Sequence, residues 1–248
     1  MPFTYSTAQG LINFGRQFAA NLIGQPFEQY RLSGASSGDP IAPENLVGSI
    51  NSKITHTRQM KDIENDYLHT NPFEFLIDMS AVELGDILVQ NDPAYGGNTQ
   101  YAIASRRPLK PTLAVRVETL ANIYQASSGR SAGGYAGASR TNGTPYVLTN
   151  GVFAPSTIGN PSNIPVGIQY IGQMKVQNND RLPLDDALPH WFCYLPFLPG
   201  LDGVRENDII QVQAVEQNAP MRFRINAMQP QPGWGLSGYF CTAVKELP

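Results

Sequence analysis

The chain has 248 residues, enough for one large domain or two small ones, and its 42% hydrophobic and 10% aromatic content excludes wholesale disorder. A formal net charge of −3 argues against a nucleic-acid-binding protein that depends on neutralising phosphates. Two cysteines cannot form a disulfide framework, so Cys193 and Cys241 are predicted to be small buried residues, with a single bridge as the alternative.

No segment predicts secretion or membrane insertion. The first residues, Met1-Pro-Phe-Thr-Tyr, lack the basic and apolar regions of a signal peptide. No stretch approaches the roughly 18 uninterrupted apolar residues that a membrane-spanning helix requires. We therefore expect a protein that is made in a cytoplasm and has no membrane partner.

Residues 7–23 predict the one clear helix, which Ser6 or Thr7 can cap by accepting a hydrogen bond from the first turn. Gly24 and Pro26 end it. The helix is amphipathic, and its apolar side packs either on its own domain or in a neighbouring subunit. The second possibility makes this side a candidate docking element, formed by Leu11, Phe14, Phe18 and Leu22.

Residues 33–52 predict a loop that contains the pattern Gly-x-Ser-x-Gly at Gly34–Gly38. In some hydrolases this pattern forms a nucleophile elbow, in which a strand enters the turn and a helix leaves it. The prolines Pro40 and Pro43 follow the pattern here and block such a helix, so Ser36 is predicted not to be catalytic.

Other chemical signatures are equally weak. The acidic clusters at 62–66 and 185–190 lack the ligand spacing of calcium and zinc sites. The sequence contains no phosphate-binding glycine motif and no Cys-x-x-Cys pair. We therefore predict a protein that is not an enzyme and holds neither a cofactor nor a metal.

A short motif occurs twice at one fixed spacing. Residues 84–103 read Leu-Gly-Asp-Ile-Leu-Val-Gln, a polar turn and Gln-Tyr-Ala-Ile; residues 206–225 read Glu-Asn-Asp-Ile-Ile-Gln-Val-Gln, a polar turn and Arg-Phe-Arg-Ile. An apolar strand follows each copy, at 113–118 and 240–245. The repeat predicts two related β modules. The matched pairs, each 122 residues apart, are Asp86 with Asp208, Ile87 with Ile209, Tyr101 with Phe223, and Ile103 with Ile225.

Asp86 and Asp208 stand at the entrance of the repeated strand. A repeated aspartate could be catalytic, but neither copy has a second acid or a histidine nearby in the sequence. An aspartate in such a place more often accepts hydrogen bonds from turn N–H groups. We predict a structural turn role for both.

Residues 126–145 are rich in Gly and Ser and too long for an ordinary turn. They form either a flexible linker between modules or a loop that becomes ordered on a partner. Under the second interpretation, the candidate docking residues are Arg130, Tyr135 and Arg140.

The pattern as a whole predicts a mainly β protein with two related small β-barrel or sandwich modules and one N-terminal amphipathic helix. The predicted boundaries are an N-terminal helical arm at 1–30, a first β module at 31–125, a Gly/Ser-rich loop or linker at 126–145, and a second β module at 146–248.

With these segments the chain resembles tailed-bacteriophage virion proteins of the head–tail neck, such as head-completion, stopper and collar proteins. The unit Gly/Asn-Asp-Ile followed by aromatic-x-Ile is similar to the small β-barrels of that family, although the second copy has Asn207 in place of Gly. The segments that carry the resemblance are Ile23-Gly24, Tyr30-Arg31, Leu84-Gly-Asp-Ile-Leu, Tyr101-x-Ile, Pro108-Leu-x-Pro-x-Leu-Ala-Val115, Leu195-Pro-x-x-Pro-Gly200, Asp208-Ile-Ile and Gly233-Trp-Gly-Leu236.

The resemblance implies a structural protein of the virion, assembled in the host cytoplasm and located at the head–tail junction. Its implied partners are further copies of itself in a ring-like homo-oligomer and the portal, adaptor or tail proteins, with DNA only as passing cargo. The alternative from another class is a receptor- or glycan-binding module of a tail tip or fibre, with Tyr135, Tyr170 and Trp234 as candidate aromatic contacts.

Overall fold

The structure is a computed structural model that describes residues 5–55, 72–92, 97–107, 110–117, 119–126, 143–172, 190–212, 220–229 and 236–245. These residues form one α-helix, α1 (Tyr5–Ile23), two short 3-10 helices (Pro43–Asn45 and Leu201–Gly203) and fourteen strands, so the prediction of a mainly β protein with one N-terminal helix is confirmed. The strands are β1 (Gln25–Tyr30), β2 (Leu46–Thr55), β3 (Phe73–Leu76), β4 (Ile87–Asp92), β5 (Gly97–Ser105), β6 (Thr112–Arg116), β7 (Thr119–Gln125), β8 (Thr144–Thr149), β9 (Val152–Pro155), β10 (Ile164–Gly172), β11 (His190–Leu195), β12 (Ile209–Val212), β13 (Met221–Gln229) and β14 (Tyr239–Lys245).

The strands form two closed antiparallel barrels of six strands each. The first barrel has the order β1-β2-β3-β6-β5-β4 and closes through the pairing of β1 with β4. The second has the order β7-β10-β11-β14-β13-β12 and closes because β7 pairs with both β10 and β12. The predicted pair of related β-barrel modules is therefore confirmed.

The two barrels have the same topology, strand for strand. The register agrees as well: Ile87 faces Ala102 between β4 and β5, and Ile209 faces Arg224 between β12 and β13, at the same spacing of 122 residues. The two barrels also share a β-bulge at the same place, after Ile103 in β5 and after Ile225 in β13. A shared register and a shared bulge indicate an internal duplication, because a shift of one residue would turn every side chain to the opposite face.

One element has no counterpart in the first barrel. The hairpin of β8 and β9 lies between the first and second strands of the second barrel, and its β8 pairs with the end of β7 through Tyr124 and Pro145. The Gly/Ser-rich segment at 126–145 therefore connects two strands of the second module. One of the two predictions for this segment, a linker between the modules, does not agree with this position. Residues 127–142 of this segment lie outside the described residues.

The barrels also divide the chain differently from the predicted boundaries. The strand β1 belongs to the first barrel, although residues 1–30 were predicted as a separate arm. The strand β7 belongs to the second barrel, although the first module was predicted to reach residue 125. Each barrel starts with a strand that lies upstream of its repeat, and the connection from β6 to β7 is too short to carry a linker composition. The segment 33–52, predicted to be a loop, includes the first residues of β2, which begins at Leu46.

Each barrel has its own apolar interior. The first contains an aromatic cluster in which the ring of Tyr101 lies 5.2 Å from Phe75, 5.5 Å from Phe73 and 6.3 Å from Phe27. The second is built from aliphatic residues, the two cysteines, Phe223 and side chains of the β8–β9 hairpin such as Tyr146 and Phe153. Within the described part of the chain, no helix combines the length and the apolar character needed to span a bilayer.

Candidate assembly surfaces

The helix α1 lies on the first barrel with a small and polar face. Among the helix residues whose burial is described, 6–23, Ala20 is the one that is fully buried. Arg16 donates a hydrogen bond to the sulfur of Met79 over 2.8 Å. Partial burial lowers the pKa of Arg16, against the opposing effect of the nearby Glu74. A shallow groove of about 300 Å³ remains between the helix and the barrel, and its lining includes the polar Asn21.

The apolar face of α1 points away from the barrel. The exposed fractions are 58% for Leu11, 67% for Phe14, 61% for Phe18 and 71% for Leu22. We call these four residues the apolar stripe. An amphipathic helix in a self-contained domain packs its apolar face inward, so α1 is oriented the opposite way. The four predicted docking residues of the helix are thus accessible on one line, while the predicted Arg130, Tyr135 and Arg140 lie outside the described residues.

The helix begins at Tyr5, two residues before the predicted start, so Ser6 and Thr7 lie within it instead of preceding it. It ends at Ile23, as predicted, and passes into β1 through Gly24, whose N–H donates to the carbonyl of Ala20 over 2.8 Å. A side chain at position 24 would overlap the backbone of Ala20 and Ser52. The short connection places α1 directly against β2 and β3.

A third apolar cluster joins the two barrels. The outer faces of β5 and β6 contribute Ala102, Ala104 and Val115, all buried, and the outer faces of β11 and β14 contribute aromatic rings. The rings of Tyr194 and Phe240 lie 4.9 Å apart in this contact. The cluster also includes Val117, Leu236, Phe192 and the partly buried Leu113.

Polar contacts reinforce the junction of the barrels. The N–H of Ser237 donates to the carbonyl of Ala104, at the bulge of β5. The hydroxyl of Tyr194 donates to the carbonyl of Ser237 over 3.0 Å, and burial raises the pKa of this tyrosine. The two barrels therefore share one continuous, hydrogen-bonded contact.

The repeated turns before β4 and β12 have one geometry. Gly85 has φ 85° and Asn207 has φ 74°, both in the left-handed region. Their N–H groups donate to the carbonyls of Ile103 and Ile225, over 3.0 and 2.7 Å. Asparagine is the residue that replaces glycine most readily in this conformation, so the departure at Asn207 leaves the turn unchanged.

The two predicted turn aspartates are almost fully buried and accept hydrogen bonds. Asp86 accepts from the N–H of Glu83 over 2.7 Å, and Asp208 accepts from the N–H of Arg205 over 2.9 Å. Asp208 also accepts from the N–H of Ala126, at the end of β7, over 2.9 Å. Burial raises the pKa of Asp208, and these two N–H donors oppose the shift.

Asp86 reaches the corresponding end of β1 through side chains. Gln29 donates to it over 2.7 Å, and Arg31 forms a bidentate pair with it, both bonds at 2.7 Å. The hydrogen bond with Asp86 raises the pKa of Arg31. Arg31 also lies 2.8 Å from Glu83. Each aspartate thus joins its own turn to the first strand of its own barrel.

Ser36 of the Gly-x-Ser-x-Gly pattern is fully buried in a loop between β1 and β2. Its hydroxyl donates to the side chain of Asn45 and accepts from the N–H of Ser33 over 2.6 Å. The loop also binds the second barrel, because Asp39 accepts a hydrogen bond from the N–H of Asn163 over 2.9 Å. Neither a strand nor a helix flanks this turn directly, so the geometry of a nucleophile elbow is absent here.

Cys193 and Cys241 face each other across β11 and β14. Both are buried and free, as the sequence predicted. The hydrogen bond with Cys193, together with burial, raises the pKa of Cys241 well above its usual value, which keeps this thiol protonated and unreactive.

Metal ligands do not cluster in the part of the chain that the structure describes: these residues contain no group of three His, Cys, Asp or Glu side chains placed to hold an ion. The acidic residues at 62–66 and at 185 and 186 lie outside that part. Of the aromatic residues in the receptor-binding alternative, Tyr135 and Trp234 also lie outside it, and Tyr170 is 54% exposed.

Comparison of the chain with protein-family models, with curated protein sequences and with solved structures finds no match in any of the three.

The contact between barrels is the surface that sequence reasoning missed. Its signal was present in β5, where Tyr101-Ala-Ile-Ala104 is apolar at every position, a pattern typical of a strand buried on both faces.

Proposed function

We propose that the protein is a structural subunit of a tailed-phage virion, located at the head–tail junction, which acts by assembling with copies of itself and with portal, adaptor or tail proteins. The observation that carries the proposal is that each copy of the repeated unit forms neighbouring strands of a closed six-stranded barrel. This unit is part of the resemblance to neck proteins, and that resemblance implies such a small barrel for each copy.

The apolar stripe of α1 supports an assembly role. Exposed apolar patches of this kind usually mark a surface that another protein covers. The two barrels use their own apolar outer faces against each other, whereas this stripe stays exposed and is available for contacts between subunits. The role requires no catalytic group, no cofactor and no membrane.

The test is to purify particles from a host that carries the coding sequence and to determine by mass spectrometry whether the chain copurifies with them in stoichiometric amounts. Gold-labelled antibodies then locate it by electron microscopy. We expect label at the junction of head and tail. Absence from purified particles would contradict the proposal, and label at the fibre tips would replace it with the alternative.

One observation favours the receptor- or glycan-binding alternative. The exposed ring of Tyr170 lies 5.1 Å from that of Trp191, which is partly buried against the second core. An exposed aromatic ring suits stacking on a sugar ring. Binding to host envelope glycans that Tyr170→Ala abolishes would support this function. Ile158→Ala is the matched control, because Ile158 is 83% exposed on the same module.

A further inference from the structure

The apolar stripe has a regular spacing. Leu11, Phe14, Phe18 and Leu22 follow one another at intervals of three, four and four residues, which places them in one line along α1. Gly15 lies beside this line, and a Cβ there would meet no atom within 4 Å. Large side chains next to a notch form the surface that a second helix packs against.

The area of the stripe fits the centre of a protein interface. Four large side chains that are more than half exposed present on the order of 500 Å² of apolar surface. The largest apolar patch of a typical monomer covers roughly 300 to 600 Å², and a stable interface buries roughly 800 Å² on each partner. The stripe therefore supplies the apolar core of such an interface, and neighbouring polar residues supply its rim.

The charge of the helix selects the partner. Arg16 is the one charged residue between Tyr5 and Ile23, and it is turned towards the barrel. Helices that lie in a membrane surface carry several Lys and Arg residues beside their apolar face, which α1 lacks. A neutral stripe meets no repulsion from an identical stripe, so a second copy of the chain is the fitting occupant.

We propose that α1 packs against α1 of a second copy of this chain, burying the apolar stripes of both. This inference deepens the proposed function, since it names the contact through which the subunit associates with itself. The contact is isologous, because the same surface serves both partners, so it closes a dimer, and a larger ring needs a further contact between dimers. It leaves both barrels free to contact other proteins.

The experiment measures the mass of the full-length protein by light scattering over a concentration series. We expect the wild type to form a dimer or a larger oligomer and the double variant Phe14→Gln, Phe18→Gln to associate at least roughly tenfold more weakly. Glutamine retains helix propensity, so circular dichroism and the melting temperature should stay close to the wild-type values. The single variant Ile158→Gln, at a residue that is 83% exposed on the second barrel, should keep the wild-type mass.

A double variant with the wild-type mass, or a monomeric wild type, would overturn the inference. Flotation of the wild type with anionic phospholipid vesicles would assign the stripe to a membrane instead and would also overturn it. The proposed function is tested separately. A monomer that is still incorporated at the head–tail junction refutes the helix pairing alone, whereas an oligomer held by α1 that is absent from particles refutes the virion role alone.

Discussion

The two barrels have the same backbone and different interiors. When the two barrels are aligned by their strand register, Phe27 of β1 corresponds to Ala121 of β7. In the same alignment, Phe75 of β3 corresponds to Cys193 of β11. The smaller residues of the second barrel accompany the β8–β9 hairpin, whose Tyr146 joins the same core. Turns and bulges thus hold the register, while core volume is redistributed between strands and an added hairpin.

The outer faces differ as well. Ala102 and Ala104 of β5 are buried against the second barrel, whereas the equivalent residues of β13 are Arg224 and Asn226. The first barrel therefore has a face that accepts another barrel, and the second barrel has a polar surface at the same place.

The largest expected effect comes from exchanging these outer residues. Ala102→Arg places the residue of the second barrel into the contact between barrels, where a buried charge has no partner. We expect a loss of about 4 kcal/mol in the free energy of unfolding. Arg224→Ala, the reverse exchange, should change it by less than about 1 kcal/mol. Chemical denaturation of both variants measures the difference.

Limited proteolysis is a second measurement of how the Ala102→Arg exchange affects the contact between the barrels. If Ala102→Arg separates the barrels, the short connection between Arg116 and Thr119 should become accessible to protease, and two stable fragments should appear. Equal stability losses for the two exchanges would show that the outer faces are equivalent after all.

The second comparison concerns the repeated turn. Gly85 and Asn207 share one backbone conformation, but a Cβ at position 85 would overlap the carbonyl of Phe197 in the second barrel. Gly85→Asn should therefore cost about 3 kcal/mol, although asparagine suits the turn itself. Asn207→Gly should cost less than about 1 kcal/mol. Similar melting temperatures for the two variants would contradict the assigned overlap.

The turn aspartates should differ less. Asp86→Ala leaves the guanidinium of Arg31 and the amide of Gln29 without their shared acceptor, at a cost of about 2 to 3 kcal/mol. Asp208→Ala leaves two backbone N–H groups without an acceptor, at a cost of about 1 to 2 kcal/mol. Thermal melts at neutral pH rank the two variants, and the reverse order would contradict the assigned contacts.

The pKa of Asp208 adds a dependence on pH. Because burial raises this pKa in the folded state, the folded protein binds the proton more tightly than the unfolded chain does. The resulting stabilisation is present at low pH and is lost as pH rises through the raised pKa. The stability difference between the wild type and Asp208→Ala should therefore be larger in acidic buffer, at about pH 3.8 and below, than at neutral pH.

The sequence predicts the parts of the fold that are local. The strands β4, β5, β12 and β13 follow from the repeat, because turn residues and alternating apolar positions lie within one short segment. The first strand of each barrel is not marked in this way. Its assignment depends on pairings such as Tyr30 with Ile87 and Tyr124 with Ile209, which join distant segments.

The candidate site, like the fold, depends partly on local sequence and partly on contacts between distant segments. The spacing of Leu11, Phe14, Phe18 and Leu22 predicts an apolar stripe, but the pattern of one helix cannot say which side faces its own barrel. That choice depends on the barrel surface under α1, where polar residues such as Asn51 of β2 and Asp78, which follows β3, line the groove. The direction of the stripe is therefore a tertiary property.

The smallest expected effect concerns the hairpin that only the second barrel contains. Tyr146 of β8 is fully buried, and its hydroxyl has no hydrogen-bond partner among the described residues. Burial, followed by the charge of Asp208, raises the pKa of Tyr146 to about 12. Tyr146→Phe removes an unsatisfied polar group and keeps the ring, so we expect a change of less than about 1 kcal/mol at neutral pH, in the stabilising direction.

The same substitution should alter the response to alkali. The neutral phenol of Tyr146 stabilises the folded state below about pH 10, and this contribution is lost between about pH 10 and pH 12, because the unfolded chain releases the proton first. Tyr146→Phe should therefore retain more stability than the wild type across this range, by an amount on the order of 2 kcal/mol at its upper end. Parallel loss of stability in both proteins would show that the hydroxyl reaches solvent, and the hairpin would then be a loosely attached addition to the second barrel instead of part of its core.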